Sequence, residues 1–148
     1  MTRHLHGLEL SVPEGAQDES LFRFVLVSET TPVPELAHTK KTAPVVRPSL
    51  VVARRAAVPG PFDSSIFEAD NRAMVHRDRT FRVLASGTST CHGRELVWQD
   101  VTLTGPGGLQ IFQRHFVAAA VDGHQAVVTI TTGTRDLDGL AARIGLSR

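Results

Sequence analysis

Runs of β-branched and aromatic residues alternate with turn residues along most of this chain. Such runs predict β-strands, because branched and aromatic side chains suit the pleated, half-buried surface of a sheet. The last three runs are separated by short glycine-containing turns, which predicts an antiparallel meander. The pattern as a whole predicts strands over residues 5–12, 22–28, 49–56, 80–90, 94–104, 109–121 and 124–132.

Two turn sequences set the predicted register of the meander. Gly105-Pro106-Gly107-Gly108 suits a four-residue hairpin loop, and Asp122-Gly123 favours a two-residue type I′ turn. Closing both loops in this way places His115 opposite Trp98 on one side and opposite Ile130 on the other. One face of the predicted sheet then carries Leu96, Trp98, Asp100, Ile111, Gln113, His115, Val117, Val128 and Ile130.

Neither predicted face is purely polar, so both faces of the sheet need a cover. One interpretation is an α/β/α sandwich with a helix on each side. The other is that the face mixing apolar groups with Asp100, Gln113 and His115 stays open for a partner, because a dry core rarely holds three unpaired polar side chains. The two interpretations are compatible.

Two segments have helical signals. Ser65 and Glu68 have capping-box spacing, which predicts a helix over residues 65–77. Asp136 is suited to cap a second helix over residues 136–144, where apolar residues recur on one stripe. With the strands, they predict an α+β fold, an α/β/α sandwich around a central antiparallel sheet.

The segment 29–48 separates the second and third predicted strands. It contains four prolines and shows no sustained hydrophobic period, which predicts a mobile loop. The chain has no internal repeat, so residues 1–148 are predicted to form a single domain.

Charge, apolar runs and cysteine count limit the partners and the cell compartment that we expect for this protein. The 148 residues carry a formal charge of +1 with scattered basic residues, which speaks against nucleic acid. The first ten residues lack the apolar core of a signal peptide, and no apolar run approaches the length that crosses a bilayer, so no direct membrane insertion is expected. A single cysteine, Cys91, excludes an intrachain disulfide and is predicted to be a small core residue. A cytoplasmic protein is the expectation.

Catalytic and metal-binding signatures are missing from the sequence. No nucleophile elbow, phosphate-binding loop, HExxH or dinucleotide fingerprint occurs. Asp63, Ser64 and Ser65 precede a predicted helix, where capping explains them. His4 and His6 share one side of a strand, but no third ligand lies nearby. We therefore expect no enzyme activity, no metal and no cofactor.

Several short motifs together resemble a known family. Leu8–Val25 (LELSVPEGAQDESLFRFV) contains Pro13-Glu14-Gly15 after a strand and Asp18 before the next. Arg54 ends a later strand, and the C-terminal hairpins contain Gly93, Gln113 and a Thr-x-Thr at Thr129. In this order and spacing, the chain resembles the DcrB-related proteins across most of its length. The resemblance implies the PsbP-like α/β/α sandwich.

Family members without a signal peptide are similar to the Eag chaperones of bacterial type VI secretion. These act as dimers and shield the hydrophobic N-terminal helices of secreted effectors, so the resemblance implies a non-enzymatic chaperone or adaptor and a homodimer. A stand-alone ligand- or protein-binding accessory domain of the same fold, and an unrecognised hydrolase, are the alternatives. We expect the partner-binding surface to comprise Trp98, Ile111, Gln113, His115, Val128 and Ile130.

Overall fold

Nine strands and two α-helices follow one another in the part of the chain that the structure describes. The computed structural model describes residues 2–5, 8–11, 17–20, 23–25 and 46–146. The helices are α1 (Glu68–Arg77) and α2 (Leu137–Arg143), and 3-10 turns occupy Ser64–Phe67 and Pro106–Gly108. The fold is α+β, as the sequence predicts. The strands are β1 (Thr2–Leu5), β2 (Leu8–Ser11), β3 (Gln17–Ser20), β4 (Arg23–Val25), β5 (Ser49–Ala56), β6 (Arg82–Cys91), β7 (Arg94–Thr104), β8 (Gln110–Ala118) and β9 (His124–Thr132).

Seven of these strands form one antiparallel sheet in the order β3-β4-β5-β9-β8-β7-β6. The predicted meander is confirmed, because β7, β8 and β9 are consecutive neighbours. Asp122 and Gly123 have φ angles of 52° and 75°, as a type I′ turn between β8 and β9 requires. Local turn chemistry therefore determines the order of the C-terminal half of the sheet.

The strand predictions hold best where the hydrophobic pattern is longest. The bounds of β5, β7 and β9 match their predicted ranges, and β6 lies within two residues of its range. The strand predicted over 5–12 is confirmed for residues 8–11, which form β2, but Leu5 belongs to a separate strand, β1, and the two pair as a two-stranded sheet. β3 was not predicted. Of the predicted 29–48 loop, residues 29–45 lie outside the described residues.

One face of the large sheet, here called the inner face, carries the main hydrophobic core. Its residues are even-numbered on β5, β7, β8 and β9, and they pack against the apolar stripe of α2. The buried cluster consists of Leu50, Val52, Cys91, Leu96, Phe116, Ala118, Ala126, Val128, Ile130, Leu140, Ala141, Ile144 and Leu146.

The opposite face, here called the outer face, carries the odd-numbered residues of the same strands. A smaller core forms there, where Ile66 and Phe67 of the 3-10 turn pack on Val97 and Val117. Because this turn leads directly into α1, α1 and α2 lie on opposite sides of the sheet. The layers are thus helix, antiparallel sheet and helix.

Aspartate side chains cap α2 and the 3-10 turn that leads into α1. The Asp136 carboxylate accepts a hydrogen bond from the Gly139 N–H at 3.0 Å, as the sequence predicts for α2. The prediction that Ser65 caps the first helix is wrong: the Asp63 carboxylate accepts from the Ser65 N–H at 2.9 Å and starts the 3-10 turn instead. No helix within the described ranges is long and apolar enough to cross a bilayer.

The single cysteine lies under the C-terminal end of α2. Cys91 is 8% exposed and belongs to the inner-face core, which confirms its prediction as a core residue. Its thiol donates to the Gly145 carbonyl, with Sγ and O at 2.8 Å. Gly145 has a φ of 80°, the left-handed conformation that ends a helix and favours glycine.

Candidate functional site

The predicted register of β8 is wrong by one residue. Thr104 pairs with Gln110, so the preceding loop holds five residues rather than four. Within that loop, the Gly105 N–H donates to the Leu109 carbonyl at 2.7 Å. On the other side of β8, Phe116 and not His115 or Val117 pairs with Val128. Because side chains alternate between faces, this shift moves every side chain of β8 to the face opposite to the predicted one.

The shift divides the six predicted partner-binding residues between the two faces. Trp98, Val128 and Ile130 lie on the inner face, where Val128 and Ile130 are fully buried in the core. The structure brings the other three together on the outer face, and all three are partly exposed: Ile111, Gln113 and His115. Trp98 pairs with Phe116, and the predicted Trp98–His115 pair does not form.

A chain of hydrogen-bonded polar side chains crosses the outer face. Gln99 exchanges two hydrogen bonds of 2.9 Å with Asn71 of α1, and its Nε2 lies 2.9 Å from His115 Nδ1. His115 Nε2 lies 3.2 Å from Gln113 Oε1, and Gln113 Nε2 donates to Thr131 Oγ1 at 3.1 Å. Gln113 and His115, two of the three polar residues expected to be unpaired, are therefore hydrogen-bonded on this face, which lowers the cost of covering them.

The direction of these bonds favours a neutral His115. Nδ1 accepts from Gln99 while Nε2–H donates to Gln113, and a protonated ring has no acceptor to offer Gln99. Burial lowers the pKa of His115 below its ordinary 6.5, and the carboxylates of Asp70 and Asp100 oppose this shift. The folded state thus binds the proton less readily than the unfolded chain.

We expect the free energy of unfolding to fall as the pH drops below 6.5, because protonation of this site is easier in the unfolded chain. Above 6.5 the histidine is neutral in both states and this contribution is complete. Urea denaturation at about pH 5.5 and about pH 7.5 measures the difference, and His115→Gln should reduce it. An equal acid-induced loss in both proteins would show that His115 is not its source.

Part of the outer face remains accessible among the described residues. Val51 is 36% exposed and pairs with the partly exposed Thr129. Thr131 and its partner Gln113, and then Ile111, are partly exposed further along the same face. This patch of β-branched residues and one amide is here called the outer patch. It combines apolar area with hydrogen-bonding groups, and it includes Ile111 and Gln113 of the six predicted partner-binding residues.

α1 covers the neighbouring part of the outer face through polar contacts. No residue of α1 is buried, and Asn71 contacts Gln99 as described. Arg55 Nη1 donates to the Asp70 carboxylate at 2.9 Å. Such partly exposed pairs contribute little to stability, so the helix depends mainly on the buried 3-10 turn before it.

A second accessible region, here called the edge cavity, lies on the inner face beside α2. It has a volume of about 550 Å³. Its centre is a nearly buried ion cluster: Arg114 forms two hydrogen bonds to Asp100, at 2.6 and 2.8 Å, and a third to Asp138, at 2.8 Å. The lining residues are Ala85, Ser89, Trp98, Asp100, Arg114, Phe116, Asp138 and Leu146.

The arginine of this cluster is tightly held. Hydrogen bonds to Asp100 raise the pKa of Arg114 above its ordinary value, and Asp138 adds to the effect against the cost of burial. The guanidinium carbon lies 4.7 Å from the centre of the Trp98 ring, in cation–π geometry. One arginine and two aspartates leave the cluster with a formal charge of −1.

Small residues of β6 border the cavity, of which Ala85 and Ser89 line it. Gly87 lies opposite Trp98, and a Cβ at this position would stand 2.8 Å from Cζ2 of the indole. The hydroxyl oxygen of Ser89 is shielded from solvent and has no hydrogen-bond partner within the described part of the chain. The sequence prediction missed this region. The predicted register, with His115 opposite Trp98, places Gln113 opposite Asp100, whereas the observed partner of Asp100 is Arg114. The charges of Asp100 and Arg114 were the available signal, since opposite charges favour facing positions.

Comparison with known proteins supports the fold alone. No protein-family model and no curated protein matches the chain. The chain is similar to the crystal structure of a Pseudomonas aeruginosa protein of unknown function, described there as a proposed regulator, with a TM-score of 0.52 and 19% sequence identity. The match covers 96% of this chain and 88% of that one. The α+β architecture therefore has an experimental counterpart.

Proposed function

We propose that this protein is a non-enzymatic chaperone or adaptor of bacterial type VI secretion, with the DcrB-related, PsbP-like fold. It binds and shields the hydrophobic N-terminal helices of a secreted effector. The outer patch carries this proposal, because its apolar side chains and its amide lie along one accessible face of the sheet. The resemblance in sequence motifs supports the same assignment.

The outer patch meets the two chemical needs of a membrane helix held in water. Val51 and Ile111 remove apolar side chains of the helix from water. Gln113 uses one N–H towards Thr131 and one acceptor position towards His115, and an amide has a further donor and acceptor for small polar residues of the helix. Binding of this kind requires no catalytic group.

The dimensions of the sheet favour a homodimer. A helix that spans a bilayer is about 30 Å long, and a nine-residue strand such as β8 spans about the same distance. One sheet covers a single side of such a helix, and α1 occupies part of the outer face. Two protomers facing one another enclose a helix on both sides.

The edge cavity favours one alternative, an accessory domain of the same fold that binds a small ligand. A volume of about 550 Å³ lies within the usual range for ligand sites. The two functions use opposite faces of the sheet, so substitutions separate them.

Ile111→Asp is expected to release the effector segment while leaving the protein folded. The substitution places an unpaired charge against an apolar helix, which weakens binding by several kcal/mol. Phe112 is 4% exposed, so Phe112→Asp should destabilise the free protein instead. Co-purification with the N-terminal segment of a candidate effector, light scattering of the complex, and circular dichroism melts measure both effects.

Gln110→Asp is the matched control. Gln110 is exposed and its side chain lies on the other face, so this substitution introduces the same charge one residue away from Ile111 but outside the outer patch. It should retain the effector segment. The proposal fails if Ile111→Asp co-purifies like the wild type. It also fails if Ile111→Asp unfolds while Phe112→Asp stays folded and loses the segment.

A further inference from the structure

The edge of the sheet beside the edge cavity has the properties of a strand-addition site. Within the described sheet, β6 is the terminal strand and pairs only with β7. Proteins commonly protect such edges with charged residues, prolines or bulges. β6 has one irregularity between Val83 and Ala85, and the following stretch 85–90 (ASGTST) contains no charge and no proline.

The cavity opens on the same side of β6 as its smallest side chains. Ala85, Gly87 and Ser89 pair with Asp100, Trp98 and Leu96, so they belong to the inner face. A strand added along β6 would place alternate side chains on this face, beside the cavity. Main-chain hydrogen bonds would then provide affinity, and the cavity would select one side chain.

The charges of the cavity determine which side chain it selects. The ion cluster carries a formal charge of −1, and the Asp138 carboxylate, 90% exposed, pairs within the described residues with Arg114 alone. Trp98 offers an aromatic wall. A lysine or arginine side chain satisfies both features, because it is cationic and has an apolar stem.

The geometry points to β6 and the edge cavity as a binding site for an extended peptide segment with a basic residue. The segment adds to the sheet as a further strand and places its lysine or arginine against the exposed carboxylate of Asp138, at the rim of the cavity. This site lies on the face opposite to the outer patch, and it does not depend on the proposed chaperone function.

Binding of labelled synthetic peptides to the full chain tests this inference by fluorescence anisotropy. The probes are blocked peptides of about nine residues, built of serine and threonine with one central lysine, glutamate or norleucine. We expect the lysine peptide to bind about tenfold more tightly than the other two. Asp138→Lys should reverse the preference to glutamate. Glu95→Lys, the same charge change on the same sheet but on the outer face, should not.

N-methylated peptides test the strand pairing itself. An added strand uses only every second N–H towards its neighbour, so methylating one alternate set should abolish binding and methylating the other should not. Equal binding of the lysine and glutamate peptides, equal effects of the two methylated sets, or absence of binding at millimolar concentration would each overturn the inference. So would equally tight binding of acetyl-lysine methylamide alone.

Discussion

Arg114→Met is expected to destabilise the fold by about 3–5 kcal/mol, because it leaves the Asp100 carboxylate nearly buried without its partner. The side chains of Arg114 and Asp100 are only 10% and 13% exposed. The guanidinium donates two parallel hydrogen bonds to the two carboxylate oxygens, and a methionine can make neither. The measurement is the free energy of unfolding from urea denaturation.

A second substitution distinguishes an uncompensated charge from a loss of packing. Arg114→Met combined with Asp100→Leu removes both charges, and it should recover most of the lost stability, since a buried pair is often replaceable by apolar residues. Asp138→Ala should change stability by about 1 kcal/mol or less, because the Asp138 side chain is 90% exposed. A double variant as unstable as Arg114→Met would show that the packing of the arginine, including its contact with Trp98, dominates.

Ile130→Asp is expected to prevent folding. Ile130 has no exposed surface, pairs with Leu50 and Arg114, and lies in the inner-face core. An unpaired carboxylate at this position costs several kcal/mol, comparable to the whole stability of about 5–15 kcal/mol of a typical domain. Circular dichroism and the soluble yield on expression measure the outcome.

Thr129→Asp is the adjacent control. The Thr129 side chain lies on the face of β9 opposite to Ile130, the outer face, and is partly exposed there. This variant should fold and lose less than about 1.5 kcal/mol, within the range of ordinary substitutions. If Ile130→Asp folds as well as Thr129→Asp, the assignment of the two faces is wrong. The comparison thus tests the register of β9 directly.

The sequence predicts the order of the C-terminal strands but not the placement of β8. Whether a segment forms a strand depends mainly on its local composition. The Asp122-Gly123 pair favours a type I′ turn by itself, so the order of β8 and β9 could be predicted. The loop before β8 contains consecutive glycines with little side-chain preference, and it closes one residue later than predicted. A single residue of loop length is a small local difference, but alternation turns it into a complete exchange of faces.

For the candidate site too, positions within one strand were predicted correctly and the pairing between strands was not. Ile111, Gln113 and His115 were predicted to lie together, and they do, because they alternate along one strand. Trp98, Val128 and Ile130 depended on pairing between strands, and they lie on the other face. The edge cavity needed still more information, since Asp138 reaches it only through the docking of α2 on the sheet.

The single thiol of the chain is a built-in probe of local unfolding. Cys91 is covered by the segment that follows α2 and is bonded to Gly145 there. Separation of this C-terminal segment from the sheet would expose the thiol, so the rate of alkylation by a thiol reagent follows local opening at this end of the inner-face core. The natural sequence already carries this probe.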